Sequence, residues 1–171
     1  MKNTPWYRKP EMVVALSALI MSLVTTIVAI YSAYIDRAYA RASVWPRLEM
    51  YQSNSDGNFR YGLTNSGTGP AIIKYAEVTY KDKPIKNWRE IPNIPRHIQS
   101  HMSSKVLLPE QIINPIKSTD KSAKIFREID KAISISLCYC SIYDECWLID
   151  RSNKPTNIAQ CTINEELAFT Q

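Results

Sequence analysis

Three of the chain's four cysteines lie within nine residues, in the stretch CYCSIYDECW that begins at Cys138. A β-strand places side chains two residues apart on the same face, so we expect Cys138 and Cys140 to face the same way, opposite Tyr139. Neighbouring cysteines on one strand are poor disulfide partners for each other. A short loop after Cys140 instead places Cys146 across from it, which leaves Cys138 to pair with Cys161.

Four interpretations of these cysteines stay open from the sequence. Disulfide bonds would form in an oxidising compartment. In the cytoplasm the thiols would stay reduced and act as small buried apolar groups. The four sulfur atoms could also bind a metal such as zinc, although the C-x2-C spacing of a zinc knuckle is absent, and a reactive thiol is the fourth interpretation. The compartment of this segment therefore decides the state of its cysteines.

The two histidines, His97 and His101, are four residues apart. If Pro95 begins a short helix through His101, both rings would share one face, a spacing that suits a metal ion. No glutamate follows His97, so the metalloprotease motif is absent, and two exposed histidines on a turn are the simpler interpretation. The chain also lacks a nucleophile elbow, a phosphate-binding loop and an acid–base pair placed by a motif. We therefore predict a protein that is not an enzyme and that has no metal or cofactor.

A basic and aromatic segment, KDKPIKNWRE, begins at Lys81. Such a segment could form a rim that contacts phosphate-rich ligands, nucleotides or lipid headgroups. Its candidate ligand-binding residues are Lys81, Lys83, Lys86, Trp88 and Arg89. The solvated edge of a hairpin has a similar composition and is the alternative. The formal charge of the chain is only +5, from 21 basic and 16 acidic residues, so nucleic acid is not an expected partner.

No charged residue occurs between Met12 and Ile35. As a helix these 24 residues would extend roughly 36 Å, enough to cross a hydrocarbon core of about 30 Å. The sequence therefore predicts a polar tail at 1–11, a transmembrane helix at 12–35 and a juxtamembrane helix extension at 36–43. The lipid bilayer is the first predicted partner.

A cleavable signal peptide is the alternative to a membrane anchor. Ala38-Tyr39-Ala40 resembles a cleavage site, but the apolar segment is longer than the roughly 7–15 residues of a signal-peptide core. Two charged residues, Asp36 and Arg37, also lie before that site. We therefore predict an uncleaved anchor with aromatic rings near both ends of the span, among them Trp6 and Tyr31.

The charges around the span hardly distinguish its two orientations. Basic residues occur in equal number on its two sides, with Lys2, Arg8 and Lys9 before it and Arg37, Arg41 and Arg47 after it. The positive-inside rule gives nearly a tie. A short basic tail before a first span usually stays in the cytoplasm, which slightly favours an extracytoplasmic C-terminal domain on the inner membrane of a bacterium. With the opposite orientation, the arginines after the span could contact anionic headgroups.

Small residues recur along the span at steps of about four residues, and they are Ala18, Ser22, Thr25, Ala29 and Ala33. A stripe of this kind allows a second helix to approach closely, so it predicts a homo-oligomer formed through the transmembrane helix. Alanine, serine and threonine are also ordinary in membrane helices. The stripe therefore fits an unpaired helix as well.

Strand patterns dominate residues 44–171. Strands are predicted at 44–51, 59–64, 71–80, 106–108, 133–139 and 146–149, where apolar residues alternate between clusters of turn-forming residues. A helix is predicted at Lys121–Ala132, after Thr119, with Ile125 and Phe126 on its apolar face. Many short strands with one or two short helices predict a mainly β domain, an antiparallel immunoglobulin-like β-sandwich.

The turn NSGTGPA at residues 65–71 is predicted to be a rigid bend between two strands. Gly67 and Gly69 allow a positive φ, and Pro70 fixes its own φ. The side chain of Asn65 can accept a hydrogen bond from the backbone two residues further on. A loop that contacts a ligand is the alternative.

Three short stretches carry a resemblance to a known group: SVWP at 43–46, the turn at 65–71 and LPE at 108–110. In this order they are similar to small uncharacterised bacterial membrane proteins with one N-terminal span. The stretch 59–84 also resembles bacterial immunoglobulin-like adhesion modules. The resemblance covers residues 12 to about 150, implies a membrane-anchored architecture and says little about activity.

The expected function is therefore non-catalytic. We predict an interaction or accessory protein that uses its β-sandwich to bind an unknown protein or envelope partner. The alternative is a membrane effector of a stress or phage-defence system, with a ligand-sensing cytoplasmic domain and an oligomerising transmembrane helix.

Overall fold

The computed structural model describes residues 5, 7, 9–55 and 57–170. The chain divides into two units, with the boundary between Ala42 and Ser43. The predicted membrane-interface residue Trp6 and two of the basic residues before the span, Lys2 and Arg8, lie outside the described residues.

The first unit consists of one long helix, α1, which spans Pro10–Ser43. A proline suits the first position of a helix because its missing N–H would have no partner there. The 34 residues extend about 51 Å, and none of them is buried. Of the helices in the described part of the chain, α1 alone is long and apolar enough to cross a membrane. It includes both predicted helical segments, 12–35 and 36–43, without a break.

The second unit contains ten strands, one α-helix and a short 3-10 helix. The strands are β1 (Leu48–Ser53), β2 (Phe59–Asn65), β3 (Ala71–Tyr80), β4 (Lys83–Ile85), β5 (Ile98–Gln99), β6 (Lys105–Leu107), β7 (Ile112–Ser118), β8 (Ile133–Cys140), β9 (Cys146–Asp150) and β10 (Thr156–Ile158). The helix α2 spans Asp120–Asp130, and the 3-10 helix spans Trp88–Glu90.

The strands form two antiparallel sheets. The first sheet has the order β1-β2-β7-β5, and the second has the order β10-β9-β8-β3-β4. Strand β6 also belongs to the second sheet and pairs with the first three residues of β3. Apolar side chains from both sheets share one hydrophobic core, which includes Leu63 and Ile116 of the first sheet, Val78 and Leu137 of the second, and Phe126 of α2. Burying one such side chain stabilises the fold by about 1.5–3 kcal/mol. The predicted mainly β class is therefore correct.

The first strand begins at Leu48, four residues later than predicted. The preceding segment is extended but bonds to the turn at 65–71 instead of to a strand. The amides of Ser66 and Thr68 donate to the carbonyl oxygens of Arg47 and Trp45, at 2.8 and 2.9 Å. These bonds satisfy the backbone outside any sheet.

Strand β7 is not among the predicted strands, and its Pro115 is unusual, since proline is disfavoured in the middle of a sheet. In the structure, β7 pairs with β2 on one side and with β5 on the other. The β2–β7 register shifts between Tyr61 and Leu63, and Asn114 and Pro115 occupy this irregularity opposite Gly62. A bulge tolerates proline because the extra residue leaves the hydrogen-bond ladder.

The predicted helix at 121–132 corresponds to α2, which ends two residues earlier. Phe126 is buried as predicted. Ile125 is 47% exposed and Ala123 is buried, so the predicted apolar face is right at Phe126 and wrong at Ile125. The helix is short, and a pattern read over three turns fixes its rotation poorly.

The predicted helix at 95–101 is wrong. Residues Ile98 and Gln99 form β5, which pairs with Lys117 and Ile116 of β7. The amide of Ser100 donates to the carbonyl oxygen of Pro115, which extends the same pairing. Pairing with a distant strand overrides the local helix signal here.

Candidate functional site

The four cysteines form two disulfide bonds, Cys138–Cys161 and Cys140–Cys146. Strand β8 presents Cys138 and Cys140 on the same face. The register of the β8–β9 hairpin places Cys146 directly opposite Cys140, while Cys161 comes from the segment after β10. These pairs are the ones that the strand geometry predicts.

The two disulfides lie against each other. The Sγ atom of Cys140 is 3.6 Å from the Sγ atom of Cys161, although these residues belong to different pairs. Cys138, Cys140 and Cys146 are buried, and Cys161 is half-buried. An open cleft of about 360 Å³ adjoins them, and Lys74 lines it. We refer to the four cysteines together as the sulfur cluster.

A second cleft, of about 230 Å³, lies between the two sheets and is called the inter-sheet cleft. Its apolar walls include Met50 and Leu63 of the first sheet, Ile135 and Leu137 of the second, and Met102. An apolar cavity of about 150 Å³ holds benzene, and sites for drug-sized molecules begin near about 300 Å³. The inter-sheet cleft therefore has room for one aromatic or branched apolar group.

The polar end of the inter-sheet cleft is formed by Tyr61 and Arg151, which meet at Asp130. The Tyr61 hydroxyl donates to Asp130 Oδ1 at 2.5 Å, and an Arg151 terminal nitrogen lies 2.8 Å from the same oxygen. The guanidinium also donates to the carbonyl oxygens of Asp130 and Ile133, and it lies 5.6 Å from the centre of the Tyr61 ring. Burial, and then the bond to Asp130, raise the pKa of Tyr61 far above its ordinary value. Its hydroxyl therefore stays a hydrogen-bond donor.

The sequence pattern does not predict the contact of Tyr61, Asp130 and Arg151. Tyr61 and Asp130 are separated by 69 positions, and Arg151 and the Asp130 carbonyl by 21. No local spacing connects them, because they come from strand β2, from the end of α2 and from the residue after β9.

The free edge of β1 beside the inter-sheet cleft is closed by Asn153. Its side-chain oxygen accepts from the Met50 amide and its side-chain nitrogen donates to the Met50 carbonyl, both at 2.7 Å. The amide side chain thus replaces a strand partner and protects an edge that could otherwise pair with another chain.

The turn at 65–71 is organised by the fully buried side chain of Asn65. Its oxygen accepts from the amides of Arg47 and Gly67, at 3.1 and 3.0 Å. Its nitrogen donates to the carbonyl oxygens of Gly69 and Leu107, at 2.8 and 3.0 Å. The predicted bond to the backbone of Gly67 is therefore present, together with three others that the sequence did not show.

The glycines of this turn are needed for space, and neither of them uses the positive φ that glycine allows. Of the described glycines only Gly57 has a positive φ. A Cβ atom on Gly67 would lie 2.3 Å from the carbonyl oxygen of Trp45, and one on Gly69 would lie 1.8 Å from that of Val44. The turn packs directly on the segment before β1, so neither position has room for a side chain.

The predicted basic and aromatic rim lacks its aromatic residue. The basic side chains of this rim are exposed, and they are Lys81, Lys83, Lys86 and Arg89. Trp88 is fully buried, and its ring centre lies 4.8 Å from that of Phe169. The 3-10 helix turns Trp88 inward, because its large apolar ring gains more from the core than from the surface.

The two histidines do not share a helical face, because residues 95–101 are not helical. His97 lies within hydrogen-bond distance of its neighbours, with Nδ1 2.9 Å from the Pro95 carbonyl oxygen and Nε2 3.3 Å from Gln99 Oε1. The spacing that suggested a metal therefore has no structural counterpart.

All five small residues of the α1 stripe are exposed: Ala18, Ser22, Thr25, Ala29 and Ala33. The hydroxyl of Ser22 donates to the carbonyl oxygen of Leu19 at 2.8 Å, and that of Thr25 donates to the carbonyl oxygen of Ser22 at 2.9 Å. These polar groups are satisfied within the helix, as a lipid environment requires. Self-association through the stripe stays a prediction.

No protein-family model and no curated protein matches this chain. The resemblance to small bacterial membrane proteins therefore stays a prediction, and the functional argument rests on the residues themselves.

Proposed function

We propose that this chain is a single-pass protein of the bacterial inner membrane, anchored by α1, with its β domain outside the cytoplasm. The domain would serve as a non-catalytic module that binds a protein partner. The observation that supports this proposal most strongly is the sulfur cluster, in which all four cysteines are paired. Disulfide bonds persist in oxidising compartments and are rare in the cytosol.

The anchor is supported by the surface of α1. Large apolar side chains are exposed on every side of it, including Leu16, Leu19, Ile20, Leu23 and Ile27. Monomeric soluble proteins rarely expose contiguous apolar patches larger than a few hundred Å². A hydrocarbon surrounding covers this surface without a second protein.

The inter-sheet cleft supports a binding role. It combines apolar walls with polar groups at one end, which is the usual composition of a recognition site. One aromatic or branched side chain of a partner would fill the apolar part, and Gln52 and Arg151 would contact the partner's backbone at the rim. The immunoglobulin-like arrangement is part of this proposal, supported by two antiparallel sheets that share a core.

Photo-crosslinking in living cells tests the binding site. A photoreactive residue at Gln52, at the rim of the cleft, should give one defined adduct with a membrane or envelope protein. The adduct should disappear when Leu63→Phe narrows the cleft in the same chain. The same photoreactive residue at Lys121, exposed at the start of α2, serves as the matched control.

The photo-crosslinking result shows whether the inter-sheet cleft is the binding site. The binding site is wrong if Gln52 gives no defined adduct, or if the adduct persists in the Leu63→Phe protein. Non-reducing electrophoresis of the Leu63→Phe protein should show both disulfides, which ensures that a lost adduct reflects the cleft and not misfolding.

A further inference from the structure

The sulfur cluster brings its four sulfur atoms closer together than two independent disulfides need. The Sγ atoms of Cys140, Cys146 and Cys161 all lie within 4.8 Å of one another, and the fourth sulfur, that of Cys138, is bonded to Cys161. In a tetrahedral zinc–thiolate site the metal–sulfur distance is about 2.3 Å, which places neighbouring sulfurs roughly 3.8 Å apart. The unbonded Cys140–Cys161 pair, at 3.6 Å, already has nearly this separation.

The same geometry argues against direct thiol exchange between the two pairs. If the sulfur of Cys161 attacked Cys140 and expelled Cys146, the three sulfurs would lie nearly in line. The Cys161 and Cys146 sulfurs would then lie roughly 5.6 Å apart, because a disulfide bond is about 2.05 Å long and the Cys140 and Cys161 sulfurs are 3.6 Å apart. They lie within 4.8 Å, so the three atoms form a compact triangle. A compact group of sulfurs suits a shared metal ion better than thiol–disulfide exchange between the two pairs.

We propose that the sulfur cluster has a second state, in which both disulfides are reduced and the four thiolates hold one Zn²⁺ ion. Each disulfide takes two electrons and two protons from a dithiol, which itself becomes a disulfide. Zn²⁺ then displaces the four thiol protons and binds four sulfurs. In the reverse exchange two disulfides of the same reagent accept four electrons and four protons and become dithiols, the two protein disulfides form again, and Zn²⁺ is released. This proposal does not depend on the side of the membrane or on the binding role of the inter-sheet cleft.

The surroundings of the cluster fit a metal site. Cys140 and Cys146 lie opposite each other on the paired strands β8 and β9, and Cys161 on the segment after β10 already brings its sulfur within 4.8 Å of both of theirs. Cys138 is the fourth donor: it lies on the same face of β8 as Cys140, and its side chain must rotate toward the other three once its bond to Cys161 is reduced. The adjoining cleft, which Lys74 and Asp144 also line, gives an ion and a dithiol access to the cluster from solvent.

Cobalt binding to the full chain in detergent micelles tests the proposal. The protein is reduced with a phosphine, freed of reductant without oxygen and titrated with Co²⁺ alone. We expect one Co²⁺ per chain, an absorption spectrum typical of tetrahedral four-thiolate coordination, and displacement by one Zn²⁺. The oxidised protein should bind none.

Two variants make the result specific to the cluster. Cys161→Ser removes one sulfur donor, so the cobalt spectrum should change to that of three thiolates and the affinity should fall at least tenfold. Gln160→Ala, a change in the same cleft that removes no sulfur, should leave both unchanged.

The proposal is overturned if the reduced protein binds less than one Co²⁺ per chain or gives an octahedral spectrum. An unaltered spectrum for Cys161→Ser would equally contradict it. If reduction unfolds the domain, then Zn²⁺ must restore its circular dichroism spectrum, and failure to do so would also count against the site.

Discussion

Replacing Asn65 with alanine should cost the domain far more stability than removing any exposed asparagine side chain. Asn65 is fully buried and makes four hydrogen bonds, two as acceptor and two as donor. These bonds connect the turn at 65–71 to the segment before β1 and to the end of β6. The hydroxyls of Ser66 and Thr68 also donate to the segment before β1, but these bonds are exposed and longer, at 3.3 and 3.5 Å.

The expected magnitude follows from the groups that would lose their partner. The carbonyl oxygens of Gly69 and Leu107 bond to Asn65 in a buried setting, and each buried group left unsatisfied costs about 1–3 kcal/mol. The amides of Arg47 and Gly67 are partly buried and can be reached by water, so their loss adds less. We therefore expect Asn65→Ala to lower the free energy of unfolding by about 3–5 kcal/mol, a large effect for one substitution.

Urea unfolding of the oxidised full chain in mild detergent, followed by tryptophan fluorescence, measures this effect. Asn65→Asp keeps an oxygen for the two amides but turns a charged oxygen toward two carbonyl oxygens, so it should be at least as destabilising as alanine. Asn157→Ala, an exposed change in β10, is the control and should alter stability by less than about 0.5 kcal/mol. A loss below about 1 kcal/mol for Asn65→Ala, or a stable Asn65→Asp protein, would refute the reasoning.

Three further predictions concern the turn, the cleft and the disulfides. Gly69→Ala should destabilise the domain more than Gly57→Ala, in the same urea assay, because a Cβ at Gly69 meets backbone whereas Gly57 has open space and only a strained φ. The raised pKa of Tyr61 means that above about pH 10 the folded protein keeps a proton that the unfolded chain loses. The contribution of Tyr61 to the free energy of unfolding is therefore fully present below about pH 10 and falls by about 1.4 kcal/mol for each pH unit above it. Tyr61→Phe should be less stable at pH 8 yet show a shallower decline in urea midpoint between pH 9 and pH 11, and an unchanged decline would contradict this assignment. Cys161→Ser, which removes the Cys138–Cys161 bond, should lower the free energy of unfolding by about 3.4 kcal/mol, because this bond closes a loop of 23 positions. Cys146→Ser, which removes the Cys140–Cys146 bond, should lower it by about 2.2 kcal/mol, because that loop spans only 6 positions. A larger loss of thermal stability for Cys146→Ser than for Cys161→Ser would contradict this expectation.

The parts of the fold that the sequence predicted are those where one face of an element is buried. Strands β2, β3 and β8 alternate apolar and polar residues because one face meets the core, and this pattern is local. The disulfide partners follow from the same alternation together with the length of the β8–β9 loop. The long helix α1 is evident because hydrophobicity and length suffice to identify it.

The remaining features depend on contacts between distant parts of the chain. The sequence around Pro115 does not predict strand β7, because the bulge that accommodates the proline forms only when β7 pairs with β2. The sequence places Trp88 in the basic and aromatic rim, and only its contact with Phe169, near the end of the chain, shows that it belongs to the core. In the sequence Asp130 and Arg151 resemble ordinary surface charges, and only the packing of α2 and β9 around Tyr61 brings them together. Local patterns contain no information about such pairs.

The side of the membrane on which the β domain lies tests the central proposal most directly. Two reporters are fused in turn after residue 171. Alkaline phosphatase is active only outside the cytoplasm. Green fluorescent protein fluoresces only in the cytoplasm, because it does not become fluorescent when it is exported unfolded. An extracytoplasmic domain with two disulfides predicts an active phosphatase and no fluorescence. Bright fluorescence with an inactive phosphatase would contradict the proposal and would favour a cytoplasmic, ligand-sensing effector instead.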